Sequence, residues 1–221
     1  MTKKERAKMA VELLKEEFPE AVCSLTYNKP YELLISVRLS AQCTDARVNM
    51  VTPELFGTYP TLESLASADV KDVLSIIKSC GLANTKAKDV VGIAKGLLEN
   101  FDGAVPDTIE ELLTLPGVGR KTANLVVGDV YGKPAVVCDT HCIRITNHIG
   151  LTTTKDPLKC EKELRACLPM EEANNFCHRL VLHGRKTCVA RSPKCESCCL
   201  NSICRDGIKA MKDKEKKKQK N

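Results

Sequence analysis

Helical periodicity is the feature that most constrains this 221-residue chain. Apolar residues recur at helical spacing over 5–18, 31–42, 45–56, 69–79, 85–100, 108–114, 120–131, 140–149, 158–167 and 171–183, about ten segments in all. The breaks between them are short and rich in Pro, Gly, Asn or Thr, as in NKP, GTYP, DGAVPD, YGKP and TTTKDP. Alternation with period two is nowhere long enough for a sheet, and only AVV at 135–137 reads as a short extended piece. The expected fold is all-α. Aromatic residues make up 4% and there is no Trp, so Leu, Val, Ile and Ala carry the helix-on-helix packing. No apolar run reaches the ~18 residues of a membrane span. The amphipathic start, MTKKERAKMAVELLKEEF, carries four Glu and lacks the unbroken apolar stretch of a signal peptide. A cytoplasmic protein is expected.

Charge is unevenly spread. The net charge is +6, and residues 209–221 hold seven Lys against Asp213 and Glu215, leaving only +1 for the rest. That end reads as a solvated, disordered basic tail rather than a nucleic-acid arm. Net charge therefore does not make the body a nucleic-acid binder; local placement has to.

The stretch LPGVGRKTAN, 115–124, supplies such placement. Thr108 and Glu111 read as a capping box for a short helix that Pro116 ends. Gly117 and Gly119 read as conformational rather than packing residues, allowing a tight turn with backbone close to a partner. A second helix starts near Arg120. Consecutive N–H groups at its start suit a phosphate, which fixes register on a nucleic acid without reading sequence. Lys121 sits where the helix dipole disfavours a cation. Two roles stay open from the hairpin alone: a phosphate contact, or an amine nucleophile of the Schiff-base kind. Asp139, in VCDTH, precedes another helical run and reads as its N-cap. A capping carboxylate is held in one rotamer and can also assist chemistry at a nearby amine.

Thirteen cysteines are many. Most stand singly in apolar segments, as buried thiols of a reducing compartment do. The last five crowd into CVARSPKCESCCLNSIC. Without Cys199, residues Cys188, Cys195, Cys198 and Cys204 form C-x6-C-x2-C-x5-C. Zinc and an iron–sulfur cluster are the candidates. Structural zinc usually pairs two close-spaced knuckles, and only one is present, which favours a [4Fe-4S] cluster. Arg191 and Lys194 lie in the loop between the first two ligands, where they could meet a phosphate backbone.

Together, LLISVRLSAQCTDARVN, GLANTKA, LPGVGRKTAN, VCDTH, LHGR and the cysteine quartet resemble the endonuclease III family, iron–sulfur DNA glycosylases and AP lyases of the helix–hairpin–helix superfamily. The resemblance runs from about residue 1 to 208. It implies two helical lobes with a DNA cleft between them: a six-helix barrel over 24–133 with the helix–hairpin–helix, and a [4Fe-4S] domain from 1–23 plus 134–208. It implies removal of oxidised pyrimidines from double-stranded DNA, with Lys121 as nucleophile, Asp139 assisting, and strand cleavage at the abasic site by β-elimination. It also implies Gln42 and Leu82 as residues inserted into the duplex; residue by residue they read as a helix-end surface position and a core leucine. His141 is family-like without an evident role. A monomer is expected. Cys138 departs from the pattern, standing where an aliphatic residue is more familiar, as do Cys199 and the lysine-rich end. Two alternatives compete. An adenine-mismatch glycosylase would lack the lysine at position 121, and a noncatalytic hairpin module would use Lys121 and Asp139 only as phosphate contact and cap.

Overall fold

The computed structural model describes residues 1–218, with side chains through Asp213. Twelve α-helices and two short 3-10 turns are present among the described residues, and no strand. The chain divides into two compact units, Cys23–Gly132 and a composite of Met1–Val22 with Lys133 onward.

The first unit contains α2 (Pro30–Leu39), α3 (Asp45–Thr58), α4 (Leu62–Ala66), α5 (Val70–Ile77), α6 (Ala83–Phe101), α7 (Ile109–Leu112) and α8 (Arg120–Tyr131), and the composite unit opens the chain with α1 (Lys3–Glu17). Helix α6 is the central element of the first unit and packs against α2, α4 and α5. Its Val90, Ile93, Ala94 and Leu97 are buried, a stripe at i, i+3, i+4, i+7. Two glycines interrupt α6, each costing a helix interior ~1 kcal/mol relative to Ala. They make room for the hairpin: a Cβ at Gly92 would lie 2.8 Å from Pro116 Cγ, and one at Gly96 2.8 Å from Leu115 Cδ2. The hairpin's Leu–Pro thus lies directly on the backbone of α6.

In the composite unit, α1 packs on α11 (Ala173–Lys186), which also packs on α9 (Thr140–Ile149); α10 (Pro157–Arg165) lies between α9 and α11 in sequence. Glu172 accepts from Lys15 Nζ at 2.9 Å and from Arg179 Nη1 at 2.8 Å, tying α1 to the start of α11. Arg179 is buried and also donates through Nε to the Phe18 carbonyl.

Three expectations change. Residues 209–218 belong to helix α12 (Arg205–Lys218) instead of a disordered end; residues 219–221 lie outside those described. Lys, Ala, Met and Glu are strong helix formers, and the start is anchored on α9 through Arg205 to the Asn147 carbonyl at 2.9 Å and Asp206 to His148 at 2.7 Å. Helix α2 stops at Leu39 rather than 42, because the chain turns through Gln42 at φ 53°. Residues 132–139 carry no regular structure, although Ala135–Cys138 are buried.

Candidate DNA-processing site and cysteine-lined cavity

The hairpin is built from the helix ends outward. Thr108 Oγ1 accepts from Glu111 N at 3.3 Å and starts α7. Leu115 and Val118 are buried on either side of the turn, and Val118 N closes it onto the Leu115 carbonyl at 3.2 Å. The two glycines differ. Gly117 has φ 70°, and a Cβ there would lie 2.6 Å from Asp89 Oδ2. That carboxylate is paired with Arg38, at 2.6 Å from Nη2 and 2.8 Å from Nε, so neither side chain is free to move away. Gly117 is therefore a packing residue as well as a conformational one, contrary to the sequence reading. Gly119 has φ −100°, and nothing lies within 4 Å of where its Cβ would be. It begins α8 as an N-cap without a side chain, leaving the backbone there open to solvent.

Lys121 follows in the first turn of α8 and is exposed; Arg120 beside it is half-buried. The chain by itself supplies no dry surroundings for the Lys121 amine.

Gln42 and Leu82 come together in the same unit. Both are non-glycine residues at positive φ, 53° and 59°, and both are exposed. Leu82 is 55% exposed, which removes the core reading. A bulky side chain in the left-handed region is strained by roughly 1–2 kcal/mol. Gly81 permits the approach of the two loops, since a Cβ there would lie 2.7 Å from the Gln42 carbonyl oxygen. Behind them Lys86 is fully buried, its Nζ donating to the Leu39 carbonyl at 2.7 Å; burial lowers its pKa from the usual 10.5. It ties the N-terminal turn of α6 to the last carbonyls of α2, where a cation is favoured by the helix dipole.

Asp139 lies in the composite unit as the N-cap of α9. Its Oδ1 accepts from Cys142 N at 2.7 Å, and the residue is half-buried. His141, two residues on, lies against Gly184, whose missing Cβ makes room for the ring. Arg144 Nη2 contacts His141 Nδ1 at 3.3 Å and donates to the Cys188 carbonyl at 2.8 Å. The segment that positions Asp139 is thus braced against the cysteine-rich loop.

Cys188, Cys195, Cys198 and Cys204 all line one cavity of about 230 Å³, closed by Ile145, Ile149, Pro193 and Leu200. Such a cysteine group is suited to a metal cofactor. Gly207 N donates to Cys204 Sγ at 3.4 Å. Cys199 hydrogen-bonds Cys198 and does not belong to the cavity wall. Lys194 stands at the same wall, and both it and Arg191 are exposed.

Sequence reasoning missed the Arg38–Asp89 pair, buried Lys86 and the three close-approach glycines, Gly81, Gly92 and Gly184. Gly92, inside the helical periodicity over 85–100, was the available signal, since a helix keeps Gly only for a reason.

The comparisons with known proteins agree with this geometry. Residues 35–170 match the HhH-GPD superfamily of base excision DNA repair proteins. Endonuclease III of Synechocystis is 45% identical over 204 residues, covering 92% of this chain and 93% of that protein. Endonuclease III of Escherichia coli is 39% identical over 191 residues, covering 86% and 90%. A solved endonuclease III trapped as a covalent intermediate with DNA superposes with a TM-score of 0.89 at 40% identity, covering 96% of this chain and 100% of that one. A thermostable thymine-DNA glycosylase shares the fold at 23% identity and a TM-score of 0.82. This chain belongs to the endonuclease III family, within the HhH-GPD superfamily of base excision DNA repair proteins.

Proposed function

We propose that the chain is a bifunctional DNA repair enzyme. It removes oxidised pyrimidines from duplex DNA as a glycosylase and cleaves the strand 3′ to the abasic site as an AP lyase. The observation that carries this reading is the exposed Lys121, one residue into the helix that follows the open, side-chain-free Gly119 cap. A phosphate held on backbone N–H groups at that cap would set the register of the strand next to the amine.

The Lys121 amine attacks C1′ of a nucleotide turned out of the stack. The C1′–N1 bond breaks, and the base leaves with the electron pair and collects a proton. Asp139 takes the proton that Nζ sheds once it is bonded to C1′ and faces the positive charge that develops on the sugar. The nitrogen lone pair then opens the C1′–O4′ bond, O4′ taking up a proton, and the iminium so formed between Nζ and C1′ acidifies the C2′ proton. Loss of that proton expels the 3′ phosphate, and water then releases the enzyme. Gln42 and Leu82 occupy the space vacated in the duplex; their positive φ and exposure support this, because such strain persists mainly where function uses it. Arg120, Arg191 and Lys194 contact phosphates.

The cysteine cavity suits a [4Fe-4S] cluster better than zinc. A single tetrahedral zinc with Zn–S of ~2.3 Å needs its sulfurs about 3.8 Å apart. Among the described residues, the group of potential ligands that approaches within 4.8 Å of one another lies elsewhere, so the quartet is spread more widely than one ion requires. Cys188, Cys195, Cys198 and Cys204 would hold the cluster, which supplies structural cross-linking of the loop bearing Arg191 and Lys194.

A duplex with one thymine glycol tests the reading. Wild type is expected to release the base and nick the strand. Lys121→Gln is expected to bind the duplex within a few-fold of wild type while losing at least about 1000-fold in base release, the usual scale for removing an activated nucleophile. Base release by Lys121→Gln at the wild-type rate would contradict it.

A further inference from the structure

The closest assembly of thiols is not the cysteine quartet. Cys138, Cys142 and Cys160 place their sulfurs within 4.8 Å of one another in the buried interior of the composite unit. They come from three segments: the loop before α9, the first turn of α9, and α10. Cys142 and Cys160 are wholly inaccessible, and Cys138 is 9% exposed. Each thiol interacts with the other two, and Cys142 interacts also with Cys177 of α11. Thr146 and Thr152, both fully buried, face Cys160 with their hydroxyls; Thr146 Oγ1 lies 3.9 Å from its sulfur and 2.9 Å from Thr152 Oγ1.

We propose that Cys138, Cys142 and Cys160 form a second metal site, for a single zinc ion, separate from the cysteine-lined cavity. Soft thiolates in a dry setting select zinc or copper(I), and an all-sulfur tetrahedral set favours zinc. Cys177, beside Cys142 but outside the group of three, would have to move to fill the fourth position. Binding requires three thiols to give their protons to solvent and form Zn–S bonds, with no oxidant or reductant. The sulfurs need to close to about 3.8 Å, the separation set by Zn–S of ~2.3 Å, an adjustment of about an ångström. Zinc with three thiolates carries a net −1, and that charge sits at the N-terminal turn of α9, where the helix dipole favours it. Thr146 donates its hydroxyl proton to the Cys142 carbonyl at 2.7 Å, so Thr152 is the outer-shell donor available to the Cys160 sulfur. Because the site is closed to solvent, the ion enters as the unit folds.

The location matters for catalysis as proposed above, on which this one consequence rests. Asp139 lies between Cys138 and Cys142, and its carboxylate is held by the Cys142 N–H at 2.7 Å. An ion gripping both neighbours fixes the backbone on either side of that carboxylate.

The test uses the full chain, produced with zinc in the medium, purified with its iron–sulfur cluster, and dialysed exhaustively against EDTA. Zinc and iron are counted by mass spectrometry, and the zinc shell is read by X-ray absorption. One zinc per chain with a sulfur shell at about 2.3 Å is expected, falling at least tenfold in Cys160→Val and in Cys138→Val while iron is unchanged. Cys138 is in the loop before α9, so Cys138→Val carries the comparison if Cys160→Val fails to fold. Less than a tenth of a zinc in wild type, a shell of nitrogen or oxygen, zinc retained by both variants, or a disulfide among the three thiols would each overturn the proposal. Metal content is read independently of base release, so failure of the site and failure of the repair reading are distinguishable.

Discussion

Gly117 and Gly119 stand two apart in the same turn, yet the structure gives them different work. Gly117 is required by its own fold: φ is 70°, and the Arg38–Asp89 pair fills the space a Cβ would take. Gly119 is required by nothing within 4 Å. Gly117→Ala is therefore expected to destabilise the protein by about 1–3 kcal/mol, from left-handed strain plus disturbance of a part-buried ion pair. Gly119→Ala is expected to leave stability within about 0.5 kcal/mol, as for surface substitutions, yet to weaken duplex binding several-fold by covering the open backbone. Urea denaturation and fluorescence anisotropy with a short duplex separate the two; equal losses of stability would contradict the distinction. The motif in the sequence located the turn but not this division, because φ and the Asp89 approach come from packing between α6, α2 and the hairpin. The helix-start positions of Lys121 and Asp139 were legible in the sequence. Leu82 was not: its residue type reads as core, and only its left-handed backbone carries it to the surface.

Periodicity located most helices, since amphipathic spacing survives without tertiary information; α8 and α9 begin and end where the pattern does. The short α4 escaped because five residues are too few for a periodic signal. The ion pairs that join α1 to α11, Lys15 with Glu172 and Glu17 with Lys186, were also beyond the pattern. Lys15 first and Arg179 second hold the Glu172 carboxyl below its usual 4.5. A carboxylate with a depressed folded pKa contributes stability above the unfolded value, and that contribution is lost as pH falls through the folded one. Wild type is thus expected to lose stability as pH drops below about 4.5, the unfolded value. Glu172→Gln is expected to be about 1–3 kcal/mol less stable at pH 7 and flatter in that acid window, because buried Arg179 loses its partner. Thermal unfolding of both across the window checks it; parallel pH profiles would contradict it.

At the scale of the whole molecule, most of the net +6 lies in the last thirteen residues, and the described part of them continues α12. Composition gave the charge but not the helix that carries it. Lys212, Lys214, Lys216, Lys217 and Lys218 all changed to Gln are expected to make the dependence of log duplex affinity on log salt shallower, by up to about 0.9 for each phosphate no longer neutralised. Chemistry at saturating enzyme is expected to stay unchanged. An unaltered salt slope would remove the helix from the DNA-binding account. No helix among the described residues is long and apolar enough to cross a membrane.

The most direct test of the central claim is borohydride trapping on a thymine-glycol duplex, followed by peptide mass spectrometry. A reduced adduct joining C1′ to Lys121 Nζ, absent with Lys121→Ala, is the predicted result. Base release without any adduct, or an adduct on another amine, would contradict Lys121 as the nucleophile.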